Sequence, residues 1–448
     1  MKKFIGLIAV FIGLAAQLSA QQLAFPGAEG WGRFSKGGRG GTVLKVTNLN
    51  DNGPGSFREA VTAAGPRIVV FDVSGTIDLT SPLQINNPYL TIAGQTAPGD
   101  GICLKRFSLR IRHCHDIIIR GIRIRPGIES GLKGSDIDVI DLDSSENVIV
   151  DHCAFSWSTD EGVNTWHGAK FITVQWCVMS EPLDHSIHEK GEHGYCASIG
   201  GYKASFHHNL LANGAGRNPS IAGNNQSPTV MLDFRNCVIS NWGHRSCDGK
   251  PLSINLVNNY YKPGPATLQD VKRRITRIDN AEKLGFSCLW YVEGNYVDGY
   301  PEISANNWAG GVDFEVGTSA ERNRSTTAFD AAPVTTQPAK EAYELVLKYA
   351  GCYPNRDSQE KRIIEQVHTG KYTLTSNGLI DRVEQVGGWP VLKAGKLLQD
   401  TDKDGIPDEW EQKNGLNAAD PSDAKNIAAN GYMNIENYCN SFYTSEIL

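Results

Sequence analysis

VIVDHCAF, residues 148–155, is apolar at both ends and polar in the middle. The same pattern returns in IIIRGIRI (117–124), ITVQWCVM (172–179), ASFHHNLL (204–211), LDFRNCVI (232–239), INLVNNYY (254–261) and WYVEGNYV (290–297). Successive starts lie 31, 24, 32, 28, 22 and 36 residues apart. A strand-like unit that recurs at such a period marks a solenoid, and short strands at this spacing predict an all-β parallel β-helix. The uneven spacing means that loops of different length leave one side of the stack.

The sixth residue of each unit is informative. It is Ile122, Cys153, Cys177, Asn209, Cys237, Asn259 and Asn295. Stacked coils bring equivalent residues to about 4.8 Å of one another. An asparagine there can hydrogen-bond up and down a ladder, which satisfies a buried amide. A cysteine there acts as a small hydrophobe. Cys153, Cys177 and Cys237 are therefore expected as packed thiols, although ten cysteines in an exported chain otherwise suggest disulfides. The other seven stay open.

A solenoid needs covered ends, because open coils expose strand edges and core. Ser56-Phe-Arg-Glu59 has the form of a helix capping box, and Phe57, Ala60 and Val61 give that helix an apolar side to plug the first coil. Beyond about residue 300 the pattern changes. Asn323 to Gln337 reads as a loop. Glu341–Tyr349 and Gln359–Val367 have helical spacing, the first with Ala342, Leu345, Val346 and Tyr349 on one side. These short helices are expected to flank the solenoid on its outside.

MKKFIGLIAVFIGLAAQLSA (1–20) pairs two lysines with an apolar run that closes on small residues, the form of a signal peptide cleaved after Ala20. No later apolar run is long enough to span a bilayer. The expected protein is secreted or periplasmic, with a β-helix domain at 21–395 and a small segment at 396–448. A net charge of −6 argues against a nucleic-acid partner, but a local basic groove for an anionic ligand remains open.

That last segment carries DTDKDGIPDEWE (400–411), which fits the twelve-residue EF-hand calcium loop throughout. Asp400, Asp402, Asp404, Asp408 and Glu411 are the expected side-chain ligands, Ile406 gives a backbone oxygen, and Gly405 allows the turn. Pro407 has no N–H to exchange with a paired loop, so a single structural Ca²⁺ site is expected.

Ten of the eleven histidines fall between His113 and His244. So do the exposed-looking charges Arg123, Arg125, Asp136, Asp138, Asp141, Asp143, Asp160, Glu161, Lys190 and Arg217. Carboxylates dominate, which favours a hard cation over zinc. Asp138 precedes one strand unit, and Asp160 and Asn164 follow it. With a coil of about 22 residues, Asp138 and Asp160 stand on neighbouring turns and offer a shallow cation site.

The succession FPGAEGWGRFSKGGRGG (25–41), VTNLNDNGPGSFREAV (46–61), DIDVIDLDSSENVIVDHCAFSWSTDE (136–161), HEKGEHGYCASIGG (188–201), ASFHHNLLANGAGRNP (204–219) and VNNYYKPGP (257–265) resembles the pectate lyases of polysaccharide lyase family one. The match covers most of the chain after residue 20. It implies a right-handed parallel β-helix and calcium-dependent β-elimination of polygalacturonate. By position it implies Asp138, Asp160 and Asn164 as calcium ligands, with Asn164 replacing the usual acid. Arg217 of Arg-Asn-Pro matches the catalytic arginine. Ala222 stands where a second basic residue is usual, so another arginine must bind substrate there. Lys190 is the expected partner of a uronate carboxylate. Asp151 and His152 match a signature with a structural role, bracing the bend toward the metal-binding loop. The implied partner is a pectic polysaccharide, and the implied state is a monomer. Other readings are a pectin lyase on methyl-esterified substrate, a glycoside hydrolase, and a non-catalytic carbohydrate-binding β-helix. For the hydrolase, no acid pair stands out beyond the calcium candidates.

Overall fold

Each of the seven units turns at its fifth residue. Gly121, His152, Trp176, His208, Asn236, Asn258 and Gly294 all have φ between 50° and 70°. A left-handed residue there bends the chain sharply between two short strands. Glycine and asparagine adopt it readily, and larger residues at a cost of about 1–2 kcal/mol. The bulky ones stack on one another outside the bend. Trp176 lies flat on His208 with ring centroids 4.2 Å apart, and on His152 at 6.0 Å.

The computed structural model describes residues 21–128, 131 and 136–443. The leader expected at 1–20 lies outside the described residues. Residues before each bend form the first sheet, which has ten strands, and residues after it form the second, which has nine. A third sheet of nine strands completes each turn. Every pairing among the three sheets is parallel, and apart from the first, which joins Thr42–Val46 to Arg67–Phe71, each joins a strand to the third one along in sequence. Thus Val148 pairs with Ile117 on one side and Ile172 on the other. This is a right-handed parallel β-helix. Its strands run from Thr42 to Phe314, and the chain from there to 395 wraps the outside.

One continuous apolar core fills the coil, from Val46 to Val312. The asparagine ladder runs along it. Asn209 Oδ1 accepts from the Cys177 N–H at 2.9 Å, Asn259 Oδ1 from Cys237, and Asn295 Oδ1 from Asn259. Asn307 extends the ladder beyond the repeats, because its Oδ1 accepts the Asn295 N–H. All ten cysteines are buried free thiols.

The expected plug is a helix at Phe57–Thr62, with the Ser56 hydroxyl accepting the Glu59 N–H and Phe57, Ala60 and Val61 buried. Phe57 and Val61 belong to the same core as Val69 and Phe71.

Helices at Ala339–Tyr349 and Ser358–Thr369 pack on the outer face of the second sheet. Tyr343, Val346, Leu347, Ile363 and Val367 close over Ala154, Val178, Leu210 and Val238. Tyr343 and Leu347 are buried where the expected stripe had Leu345, which is only half-buried. Arg123 and Arg125 correct a second expectation. They are buried, at 1% and 0% exposure, between this sheet and the helix start. Arg123 Nε donates to Glu360 at 2.6 Å, and Arg125 grips both oxygens of Asp357.

The carboxyl-terminal segment packs on the outer face of the first sheet. Ile406, Ala424, Met433, Ile435, Tyr438 and Cys439 share one apolar cluster with Ile68, Val70 and Ala93.

Candidate active site

The acidic residues gather where the chain enters the third sheet. Glu161–Asn164 forms one strand there, between Ile140–Asp141 and Tyr195–Ile199. Ile140 pairs with Val163, so Asp138 arrives one turn below the start of the 161–164 strand. The Glu161 N–H donates to Asp138 Oδ1, and Asn164 Nδ2 donates to Asp138 Oδ2, both at 3.0 Å. One carboxylate oxygen each of Asp138, Asp160 and Glu161 lies within 4.8 Å of the others. Asp138 and Asp160 thus meet across neighbouring turns. Asn164 joins them through Asp138, and its own Oδ1 is buried without a hydrogen-bond partner.

Electrostatics separates the two aspartates. Burial pushes Asp138 well above the usual carboxylate range, and the charge of Asp160 adds to it. Burial also acts on Asp160, but His193, Arg217 and His188 outweigh it and hold that carboxyl below its usual value. A close, part-buried pair of acids with a bare amide oxygen beside it fits a hard divalent cation.

Arg217 lies two turns further on, just before the strand Ser220–Ile221. Its left-handed backbone, φ 47°, lets the main-chain oxygen accept the Ala197 N–H. The guanidinium lies over the Tyr195 ring, 4.4 Å from its centroid, and Nη1 contacts Glu161 Oε1. Burial lowers the proton affinity of Arg217, the charge of Asp160 raises it, and Arg245 lowers it further; the net direction is down.

Sequence reasoning missed several residues here. Glu161 counted as one exposed-looking charge among many, yet it is 4% exposed and touches Arg217. His193 Nε2 stands 2.7 Å from Asp160 Oδ1 and His188 Nε2 stands 3.8 Å from Oδ2. The two imidazoles are buried and stacked 4.0 Å apart. Histidines five apart in HEKGEH were the available signal. Lys190 is exposed in the turn beside His188, and its N–H donates to His188 Nδ1 at 3.1 Å.

Asp151 and His152 are elsewhere, at the bend between the first and second sheets. Asp151 accepts from Arg120, and Gln175 and His152 Nδ1 are within hydrogen-bond reach at 2.9 and 2.8 Å. Burial opposes its ionisation, but the charges of His152 and Arg120 win and hold the carboxyl far below its usual value. The pair braces the bend and takes no part in the acidic cluster.

No family model matches the chain. Curated relatives do. A probable pectate lyase C of Aspergillus fumigatus is 35% identical over 449 residues, which is 97% of this chain and 98% of the relative. One of the same name from Aspergillus terreus is 35% identical over 452 residues, 98% of each. The chain belongs to the pectate lyase family. It is a polysaccharide lyase. Among solved structures, the major allergen from cedar pollen shares the lyase's fold, with a TM-score of 0.55 at 17% identity over 72% of this chain and 92% of that one.

The lyase lacks a base at Ala222, but Arg245 lies 5.2 Å over the same Tyr195 ring and pairs with buried Asp248 at 3.1 Å.

The acids of the lyase's carboxyl-terminal loop form a second group. Asp400, Asp402 and Asp404 converge, and so do Asp404, Glu411 and Asp423. Gly405 makes the turn at φ 97°, and a Cβ there would meet the Val43 side chain at 2.6 Å. Ile406 is buried, and its N–H donates to Asp404 Oδ1 at 2.8 Å. The structure does not bring Asp408 into the group: its carboxylate accepts the Thr401 N–H and hydroxyl, both at 2.7 Å. Asp408 instead begins the helix Asp408–Asn414. Asp423, twelve residues beyond the end of the loop at Glu411, was not legible as a partner.

Proposed function

We propose that this lyase is exported and cleaves polygalacturonate, the de-esterified form of pectin, by calcium-dependent β-elimination. The observation that carries this reading is the Arg217 guanidinium held against Glu161 and Asp160, beside the Asp138–Asp160–Asn164 cluster. Asp138, Asp160 and the unpartnered Asn164 Oδ1 are the groups that would hold the ion. Bound there, calcium would neutralise the uronate carboxylate and so acidify the adjacent C5 proton.

Arg217 takes that proton. The electron pair left on C5 forms the C4–C5 double bond, and the C4 oxygen departs with a proton from solvent. The new ends are 4,5-unsaturated uronates. Arginine is a poor base in water. Here burial and Arg245 weaken its hold on the proton, so the active fraction grows as pH rises. Arg245 and Lys190 supply positive charge for neighbouring uronates, and Tyr195 holds the two arginines beside its ring.

The test is absorbance of unsaturated ends on polygalacturonate and on methyl-esterified pectin, with calcium and with a chelator. The expected signal appears on polygalacturonate with calcium, disappears with chelator and returns on adding calcium back. A calcium-independent signal on the esterified polymer would assign that substrate instead. No signal on either would overturn elimination.

A further inference from the structure

We propose that the lyase binds a second calcium ion, remote from the arginine cleft, in a site completed by Asp423 and not by Asp408. The loop motif alone names Asp400, Asp402, Asp404, Asp408 and Glu411. In the folded chain Asp408 is spent on Thr401. Asp423 takes its place from the short helical turn Asp423–Lys425, with a carboxylate oxygen within 4.8 Å of Asp404 and Glu411.

Unpartnered buried oxygens point into this space. Glu411 is fully buried, and neither of its oxygens has a hydrogen-bond partner. Asp404 Oδ2, Asp402 Oδ2 and Asp423 Oδ1 are also buried and unpaired. Asp404 and Asp423 are 6% and 7% exposed. The only ion pair these five acids make among the described residues is that of Asp400 with Lys45, at 2.8 Å. Carboxylates stripped of water without partners are costly unless a cation joins them. Five acidic ligands and the Ile406 backbone oxygen make an all-oxygen set of the kind Ca²⁺ prefers.

The position of the site gives the ion a task. Asp400 is tied through Lys45 to the first strand of the solenoid, Thr42–Val46. Asp423 and Glu411 belong to the tail. The ion therefore clamps the tail to the first turns of the coil. The tail then delivers Asn440, which accepts from Arg120 Nη1 at 2.8 Å, and Tyr443, whose ring lies 4.6 Å from that of His152. It covers the buried Arg120–Asp151–His152 brace, so the clamp holds a lid over the bend that leads toward the cleft.

The experiment uses the full chain with Asp138→Asn, which weakens the cleft ion and leaves the tail site to be read alone. Calorimetric calcium titration is done on this chain and on it with Asp423→Asn or Asp408→Asn added. Asparagine at 423 keeps an acceptor for the Asn417 N–H, so the turn is retained. Losing one charged ligand should weaken the site about ten-fold or more for Asp423→Asn, with a change under about three-fold for Asp408→Asn. A reading without any ligand change is Tb³⁺ luminescence excited through tryptophan. Trp410→Phe, in the helix beside the loop, should remove most of it. The reverse order of the two aspartate variants, or no binding in the Asp138→Asn chain at saturating calcium, overturns the proposal.

Discussion

Asn164 donates from Nδ2 to Asp138 Oδ2 across one turn of the coil and leaves its own carbonyl oxygen buried and bare. The amide serves two ends. It stabilises the Asp138 charge by that hydrogen bond, and it offers an uncharged oxygen to a cation. Asn164→Asp exchanges that hydrogen bond for charge. The calcium needed for half-maximal activity should fall about ten-fold, since affinity follows ligand charge. The same variant should melt at a lower temperature than the parent in chelator, because Asp138 then faces a second like charge. A calcium titration of the rate and a melt in chelator read both. An unchanged calcium requirement would remove Asn164 from the site.

Arg217→Lys keeps a positive charge near Glu161 but loses the planar guanidinium over Tyr195. Lysine cannot reproduce that geometry. If Arg217 takes the C5 proton, kcat should fall at least about 100-fold. The melting temperature should move little, because the residue is part-exposed and lysine keeps both the positive charge beside Glu161 and the backbone bond to Ala197. Rates on polygalacturonate at saturating calcium test this. Full activity in the lysine variant would exclude Arg217 as the base.

The fold was legible because the coil repeats its demands. Each of the seven units has a left-handed residue at the bend, and in six of them a cysteine or asparagine follows it; VIVDHCAF shows both in positions 152 and 153. The pair Asp138 and Asp160 was legible for the same reason, since a coil length converts sequence distance into neighbouring turns. Glu161 and Arg123 were misread because a charge in sequence does not reveal its partner. Glu161 meets Arg217 from two turns away, and Arg123 meets Glu360 on a helix more than two hundred residues later. Asp423 was hidden likewise: its contact with Glu411 depends on how the tail folds back.

The Arg125–Asp357 pair gives a pH prediction. Burial opposes the Asp357 charge, but Arg125 and Arg123 outweigh it and hold the carboxyl at about 2, below its ordinary 3.8. A depressed carboxylate stabilises fully above its unfolded value and loses that contribution as pH falls toward its folded value. The pair should therefore contribute its full share above about pH 4 and lose about 2 kcal/mol between there and pH 2. Asp357→Asn should be weaker already at neutral pH, since it leaves Arg125 buried and partly unpaired, and should lack this part of the acid slope. Thermal melts from pH 7 to 2 measure it. Equal slopes in both proteins would show that the pair does not drive acid loss.

Asn259 tests what holds the coil in register. Its Oδ1 accepts the Cys237 N–H at 2.9 Å, and its Nδ2 donates to the Phe234 carbonyl at 3.2 Å and to Asn295 Oδ1 at 2.9 Å. It is fully buried. Asn259→Ala strands an N–H and a carbonyl in an apolar core, at roughly 1–3 kcal/mol for each group left unpaired. It also leaves a void. Asn259→Cys strands the same groups but fills most of the volume, as Cys237 does one turn away. The expected order of melting temperature is asparagine, then cysteine, then alanine. If the ladder were incidental, the cysteine variant would match the parent; if volume alone mattered, Asn259→Leu would rescue alanine.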